Sequence, residues 1–343
     1  MAKTSMQDIA DALNISKNAV SLAINGKPGI SDALRDRIIE KAKELDYGGL
    51  QKIRMKKKNL LLIVDDKFDR DSEFFLPLIS SILRNSAKLG YSMMMISVSD
   101  VMQENCVIPG VFYEIDAAGV VFLGWIRRNY LEHYVAEKIP CVMMLLHHYG
   151  VQADCVLSAN VDGAYLITKY LLSCGHEKIG YIANIGIYTS FKERFQGYCY
   201  ALTEAGIERK DEYEILLKTE QGTFFEYEVK AIADRIVQME NAPTAWLCGN
   251  DELAVWLINA LKERGLGVPE DISIAGFDGI QMAYLHHPRL CTYAVDRETL
   301  GREAVKLLLK RVQSGGGFTP VVRNITGELE RGASVKNIKE KAE

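Results

Sequence analysis

The sequence predicts an α/β protein in which a small all-α headpiece precedes a core of two lobes, each built on a doubly wound parallel sheet. Two observations support this prediction. Apolar residues before Asp46 recur at helical spacing, whereas after Asn59 short apolar runs alternate with amphipathic helices. A chain of 343 residues, 48% of them hydrophobic, is also long enough to fill more than one core.

The composition excludes several classes of protein. With 25% charged and 9% aromatic residues, the chain is neither collagen-like nor disordered. No stretch approaches about 18 consecutive apolar residues and the first residues lack an apolar export signal, so we expect a cytoplasmic protein. The seven cysteines form no C-x-x-C pair, which predicts reduced thiols rather than disulfides or a metal site.

Charge is distributed unevenly along the chain. Residues 1–58 contain 12 Lys and Arg against 7 Asp and Glu, whereas the rest of the chain contains 29 against 38. A basic segment joined to an acidic body is typical of a nucleic-acid-binding module attached to a regulatory domain.

Three helices are predicted before Asp46. The first begins at Ser5, which forms an S-x-x-D start with Asp8, and the next two begin at the N-cap candidates Ser16 and Ser31. Two short helices joined by a tight turn and braced by a third form a helix-turn-helix. In this motif the N-terminal part of the second helix enters the DNA major groove.

The outward face of the second helix carries residues suited to DNA contact, namely Lys17, Asn18, Ser21 and Leu22. An Asn side chain can pair with adenine and a Lys can donate to guanine, while Ser and a helix N-terminus can hold phosphates. The alternative is the solvated polar face that any helical hairpin presents.

The runs Met6–Ala10 and Ile15–Gly26 resemble the headpiece of the lactose-repressor (LacI/GalR) family of bacterial transcriptional regulators. This resemblance implies that Lys17, Asn18 and Leu22 occupy base-reading positions. The phosphate-contact candidates that it implies are Ser5, Ser16, Ser21, Asn25 and Ser31. Because Leu22 stands where the family often has Arg or His, it can offer only apolar contact, and the operator bases do not follow from the sequence.

Residues 47–58 are expected to form the hinge between headpiece and core. Gly48–Gly49 replaces the proline-bearing start of the family hinge, and Lys56 stands where a leucine wedges into the minor groove. The DNA-contact candidates of the hinge are Arg54, Met55, Lys56 and Lys57. We favour phosphate contact over the alternative of a solvated linker for the lysines.

The core is predicted from seven apolar runs that alternate with helices: Leu60–Val64, Met93–Ser97, Val120–Leu123, Val142–Leu146, Ile179–Ala183, Ala245–Cys248 and Ser273–Phe277. Ligands of such folds bind beyond the C-terminal strand ends, here in the cleft between the lobes. The sequence contains no dinucleotide-binding, P-loop, zinc-protease or nucleophile-elbow motif, so we expect no enzyme and no cofactor or metal.

Ordered motifs between residues 60 and 334, such as Gly175–Gly180 and Val268–Asp278, resemble the periplasmic-binding-protein-like effector core of the same family. The resemblance implies that Ser190, Arg194, Asn250 and Asp278 bind a small effector, commonly a sugar or a nucleoside-like compound. A forked donor, an amide and a carboxylate suit vicinal hydroxyl groups. An interlobe structural network is the alternative for the last three residues.

Aromatic residues of the core are candidates to stack on a flat face of the ligand. These candidates are Phe74, Phe75 and Phe224. Ordinary core packing is the alternative for each of them.

The sequence therefore predicts a homodimeric DNA-binding regulator, a repressor controlled by a sugar or sugar derivative. The alternatives are a nucleoside or protein co-effector and a solute-binding protein of the same fold. We expect a headpiece at 1–46, the hinge, and an effector-binding and dimerisation core at 59–343. The expected lobes of that core span about 59–159 with 290–322, and about 160–289 with 323–343.

Overall fold

The structure is a computed structural model that describes residues 4–24, 27, 29–45, 47, 58–66, 72–186, 188–219, 224–314 and 319–339. The chain divides into two compact units, residues 1–58 and residues 59–343. Among the described residues, no helix is both long enough and apolar enough to cross a membrane.

The first unit contains the three predicted helices, α1 (Met6–Leu13), α2 (Lys17–Ile24) and α3 (Asp32–Glu44). Their inward faces form a small core in which Ile9 and Ile38 are fully buried. Small apolar side chains at helical spacing allow these short helices to pack closely, and the predicted helix-turn-helix is confirmed.

The second unit alternates strands and helices, as predicted. Its strands are β1 (Asn59–Asp65), β2 (Ser92–Val98), β3 (Val120–Leu123), β4 (Cys141–Met144), β5 (Asp154–Ser158), β6 (Ile179–Asn184), β7 (Glu214–Leu217), β8 (Ala245–Cys248), β9 (Ser273–Ala275), β10 (Thr292–Ala294), β11 (Val322–Ile325) and β12 (Glu328–Glu330). Its helices are α4 (Ser72–Lys88), α5 (Asp100–Glu104), α6 (Val111–Glu114), α7 (Arg128–Ala136), α8 (Asn160–Ser173), α9 (Thr189–Glu204), α10 (Glu226–Gln238), α11 (Asp251–Lys262), α12 (Gln281–Leu285) and α13 (Arg297–Ser314).

Two parallel sheets define the two lobes. The first lobe is built on a six-stranded sheet in the order β11-β5-β4-β3-β1-β2, and the second lobe on a four-stranded sheet in the order β7-β6-β8-β9. A short antiparallel pair, β10 with β12, is attached to the second lobe. Each of the seven predicted runs contains a strand, although β4 ends at Met144 and β9 at Ala275, two residues before the predicted ends, and the predicted two-lobed α/β architecture is confirmed.

The chain changes lobe at positions that differ by a few residues from the expected ones. Bridges from Ala275 to Cys291 and from Asp278 to Ala294 place β10 with the second lobe, not with the first as the boundary at 290 implied. Strand β11 pairs with β5 and therefore keeps the chain in the first lobe beyond the expected boundary at 322. The crossings thus lie just after β5, between β10 and α13, and between β11 and β12.

Candidate DNA-binding and effector sites

The N-terminus of α1 is fixed by the predicted S-x-x-D cap. The Ser5 backbone N–H donates to the Asp8 carboxylate at 2.7 Å and the Ser5 hydroxyl donates to it at 2.9 Å. These two bonds hold the pKa of Asp8 below its usual value. The Ser5 hydroxyl therefore has a structural partner as well as the phosphate role expected from the sequence.

Helix α2 presents the predicted base-reading residues from its first turns. The Ser16 hydroxyl accepts from the backbone N–H of Ala19 at 3.1 Å and so caps the helix. Lys17 and Asn18 are exposed directly after this cap, while the predicted contact residues one turn later, Ser21 and Leu22, are half-buried. This places the four predicted contact residues of α2 on adjoining parts of its surface.

The C-terminus of α2 is held by an arginine that the sequence reasoning missed. The guanidinium of Arg35, on α3, donates to the carbonyls of Leu22 at 3.2 Å, Ala23 at 3.1 Å and Lys27 at 2.7 Å. A cation at a helix C-terminus also interacts favourably with the helix dipole. Arg35 therefore fixes the end of α2 that the cap at Ser16 does not reach.

The remaining DNA-contact candidates are placed only in part. Ser31 is exposed and caps α3 by accepting from the Leu34 backbone N–H at 3.3 Å. The candidates that lie outside the described residues are Asn25, Arg54, Met55, Lys56 and Lys57.

A small cavity of about 90 Å³ lies between the two lobes of the core. Its lining residues come from both lobes and include six of the seven predicted effector residues. They are Phe74, Phe75, Gly124, Leu145, Asn160, Tyr188, Ser190, Phe191, Arg194, Asn250 and Asp278. The cavity thus lies at the position predicted for a doubly wound pair of lobes.

Arg194, on α9, is the centre of a buried hydrogen-bond network. Its Nε donates to Asn160 Oδ1 at 3.0 Å, Nη1 donates to the Gly249 carbonyl at 2.6 Å, and Nη2 donates to Asp278 Oδ1 at 2.8 Å. The guanidinium carbon also lies 3.8 Å from the centre of the Phe277 ring. Three of its five N–H groups therefore fix its position.

The loop after β9 presents Asp278 in an uncommon backbone conformation, with φ of 118°. A second carboxylate, that of Asp251 at the start of α11, forms hydrogen bonds that hold this loop. It accepts from the Ile280 backbone N–H at 3.0 Å and from the Thr292 hydroxyl at 2.6 Å. Complete burial, reinforced by the nearby negative charge of Asp278, raises the pKa of Asp251 well above its usual value.

Asn250 and Ser190 bring helix N-termini to the cavity. The Asn250 Oδ1 accepts from the Leu253 backbone N–H at 3.1 Å and caps α11, so the side chain offers its amide N–H groups to a ligand. Ser190 lies in the first turn of α9 and lines the cavity. A donor amide and a hydroxyl thus stand beside the charged pair of Arg194 and Asp278.

Aromatic side chains of both lobes cover the apolar part of the cavity. Phe74 and Phe75 meet edge to face at 5.1 Å between ring centres, and Tyr188 and Phe191 do so at 6.1 Å. The structure does not bring Phe224 to the cavity. Its side chain is 8% exposed and belongs to the buried core of the second lobe, because it directly precedes a helix that packs inward.

The sequence reasoning did not assign five of the lining residues to the ligand site. These are Gly124, Leu145, Asn160, Tyr188 and Phe191. A signal was available for Asn160, since it directly follows the end of a buried strand, where ligands of parallel sheets bind.

Comparisons with known proteins identify a domain in each of the two units. Residues 5–48 match the family described as bacterial regulatory proteins, lacI family, and residues 168–335 match the periplasmic binding protein-like domain. The HTH-type transcriptional repressor PurR of Haemophilus influenzae (strain PittEE) is 29% identical over 343 residues, which cover 97% of this chain and 99% of that repressor. The chain therefore combines a LacI-family helix-turn-helix domain with a periplasmic-binding-protein-like domain.

Solved structures of transcriptional regulators share the architecture of this chain. The transcriptional regulator CelR in complex with cellobiose matches with a TM-score of 0.70 and 22% identity, over 97% of this chain and 100% of CelR. A LacI family transcriptional regulator from Enterococcus faecium with bound ribose matches with a TM-score of 0.67 and 24% identity, over 81% of this chain and 100% of that one. At these identities the likeness establishes the fold, and the LacI-family helix-turn-helix domain together with the similarity to PurR makes the protein a DNA-binding transcriptional regulator.

Proposed function

We propose that this protein is a repressor whose affinity for its operator is controlled by a sugar or sugar derivative in the cavity between the lobes. The observation that carries this proposal is the lining of that cavity, which combines Arg194, Asn250 and Asp278 with aromatic rings from both lobes. A sugar presents hydroxyl groups around its edge and apolar C–H groups on its faces. The polar residues suit the former, and Phe74 or Tyr188 suit the latter.

The size of the cavity favours a small ligand. A space of about 90 Å³ is well below the roughly 300 Å³ at which pockets for drug-sized ligands begin. The cellobiose and ribose complexes of the structural neighbours support the sugar class.

The cavity residues are arranged to bind rather than to catalyse. Arg194 holds Asn160 and Asp278 in fixed hydrogen bonds, and the Asp251 carboxylate is buried behind them. We therefore propose that the site does not transform its ligand. Action on bacterial DNA implies that the protein works in the cytoplasm.

We further propose that residues 1–46 bind DNA, residues 47–58 form the hinge, and the core at 59–343 binds the effector and dimerises. One headpiece reads few base pairs, so a twofold dimer on a pseudo-palindromic operator is expected. A candidate dimer face combines the edge strand β2 with α4. It exposes Leu76 at 60%, Leu83 at 39%, Met94 at 42% and Met95 at 50%.

A thermal-shift screen of the full chain against pentoses, hexoses, their phosphates and nucleosides tests the effector class. A ligand at 100 times its Kd adds about 2.7 kcal/mol to the free energy of unfolding, which is a readily measured shift in Tm. An active compound should lose its effect in Ser190→Ala but not in Ser173→Ala, a matched hydroxyl deletion at the far end of α8. Stabilisation by nucleosides alone, or by no compound, would contradict the sugar proposal.

Fluorescence anisotropy with a selected operator and with random DNA tests the headpiece assignment. Loss of one base-reading pair in Asn18→Ala should weaken operator binding by about 1–3 kcal/mol, roughly 5- to 150-fold, and leave binding to random DNA nearly unchanged. Asn105→Ala removes an exposed side-chain amide from the effector-binding unit, residues 59–343, and serves as the control. Unchanged discrimination in Asn18→Ala would refute the base-reading role of α2.

A further inference from the structure

Arg297 connects the two lobes beside the effector cavity. It is the first residue of α13, which packs in the first lobe against α4, β4 and β5. Its side chain reaches the loop after β9 in the second lobe, where Nη1 donates to the Asp278 carbonyl at 2.8 Å and Nη2 donates to the Gly279 carbonyl at 2.6 Å. One planar guanidinium therefore holds two consecutive carbonyls of the opposite lobe.

The position of Arg297 is unfavourable for α13 itself. A cation in the first turn of a helix is opposed by the positive end of the helix dipole. The N-terminus of α13 is already capped, because Asp296 Oδ1 accepts from the Thr299 backbone N–H at 2.9 Å. The interactions that account for an arginine here are those with the opposite lobe.

The loop that Arg297 holds carries a ligand-binding side chain. Asp278 has a positive φ, and its carboxylate accepts from Arg194 inside the cavity. Its backbone carbonyl accepts from both Arg297 and the backbone N–H of Val295. Val295 lies between β10 and α13, where the chain crosses from the second lobe to the first. The orientation of the Asp278 carboxylate therefore depends on bonds made across the boundary between the lobes.

Arg297 also contacts the first-lobe side of the cavity. Its guanidinium carbon lies 5.5 Å from the centre of the Phe74 ring, which lines the cavity. The residue before Phe74 adds a second interlobe bond, since Glu73 Oε2 accepts from the Met282 backbone N–H at 3.0 Å. Arg297 and Glu73 thus hold the second lobe at two neighbouring places.

We propose that Arg297 is a positioning residue that clamps the two lobes together and, through the Asp278 loop, links their relative position to the effector site. Its link to an effector rests on the proposed function, but the clamp itself is made only of groups of this chain. When the lobes separate, Arg297 leaves the two carbonyls and the support of Asp278 is lost. An effector that binds Asp278 therefore favours the arrangement in which Arg297 is engaged.

Hydrogen–deuterium exchange of the free, full-length protein tests the clamp without an effector. In Arg297→Gln we expect exchange at the backbone amides of Ile280, Met282 and Val295 to be at least tenfold faster, while strands β6 and β8 exchange as in the wild type. Arg302→Gln removes the same charge from the same helix, where Arg302 bonds Thr299, and should leave these amides unchanged. Arg297→Lys supplies a single point of charge and should restore only part of the protection.

The outcomes separate the clamp from the proposed function. If the three amides exchange in Arg297→Gln at the same rate as in the wild type, the clamp is overturned, even if a sugar stabilises the wild-type protein. Faster exchange throughout both sheets also overturns it, since that pattern means general destabilisation. Local acceleration confirms the clamp, and a negative sugar screen on the wild type would then contradict the effector proposal alone.

Discussion

A double-mutant cycle on Arg194 and Asp278 distinguishes a ligand-binding pair from a purely structural one. Their side chains are only 7% and 9% exposed, so solvent screens their attraction weakly. Arg194→Met leaves a buried carboxylate without its cation and should lower the free energy of unfolding by about 3–5 kcal/mol. Asp278→Asn keeps a residue that tolerates the positive φ, and should cost less because Arg194 retains Asn160 and Gly249.

The double variant removes both charges, so it should be more stable than the sum of the single effects implies. We expect a coupling energy of about 2–3 kcal/mol from urea unfolding followed by circular dichroism. The same double variant should no longer be stabilised by the sugar that stabilises the wild type. A coupling below about 0.5 kcal/mol would refute the argument from burial. If the sugar stabilises the folded double variant as much as it stabilises the wild type, Arg194 and Asp278 have a purely structural role.

Two further predictions concern residues behind the two sites. Arg35→Met removes three bonds to the end of α2 and should weaken operator binding about tenfold or more by anisotropy, at roughly 1 kcal/mol per bond, whereas Arg37→Met on the exposed face of α3 should not. The raised pKa of Asp251 means that the folded protein keeps a proton on this carboxyl group at pH values where the unfolded chain, with the ordinary pKa of 3.8, has released it. The free energy of unfolding should therefore fall as the pH rises above 3.8. Asp251→Asn should flatten this decline in urea unfolding between about pH 4 and pH 8, and parallel curves would contradict the assignment.

Most of the strands that the sequence predicts are buried on both faces, and the exception is the edge strand β2, whose run Met93–Ser97 is apolar although half of it is exposed. Runs such as Val120–Leu123 are fully buried and read as continuous apolar segments, which periodicity detects. Strands β7 and β11 are short sheet edges with mixed residues, and Val322 in β11 is 47% exposed. Their pairing is set by the neighbouring strand rather than by their own pattern, so the sequence gives little local signal.

The polar residues of the cavity could be predicted from the sequence, whereas the aromatic ones could be predicted only in part. Arg194, Asn250 and Asp278 lie within motifs that resemblance identifies, and all three line one cavity. Phe224 and Tyr188 are both aromatic residues near a helix start, yet only Tyr188 faces the cavity. Composition does not distinguish a ring that packs in a core from one that lines a cleft, because both positions favour apolar surface.

Contacts between the lobes were beyond prediction because they join backbone groups to distant side chains. Arg297 recognises two carbonyls, which every residue carries, and Glu73 recognises a backbone N–H. The residue type of the backbone partner, whether it accepts or donates, does not reveal such a bond. The contacts can be recognised only from the folded structure, in which the crossing between β10 and α13 brings Arg297 next to the opposite lobe.

Residues of the cavity differ in how they contribute to the contact between the lobes. Arg194 bonds the side chain of Asn160, two residues after β5, and the ring of Tyr188 meets that of Trp125 in the first lobe edge to face at 6.5 Å. The ring of Phe75 lines the cavity and meets Phe74 of its own helix. Substituting Phe75 should therefore change which ligand binds while the coupling to DNA, typically about 1–3 kcal/mol in allosteric proteins, is retained, whereas substituting Tyr188 should change both.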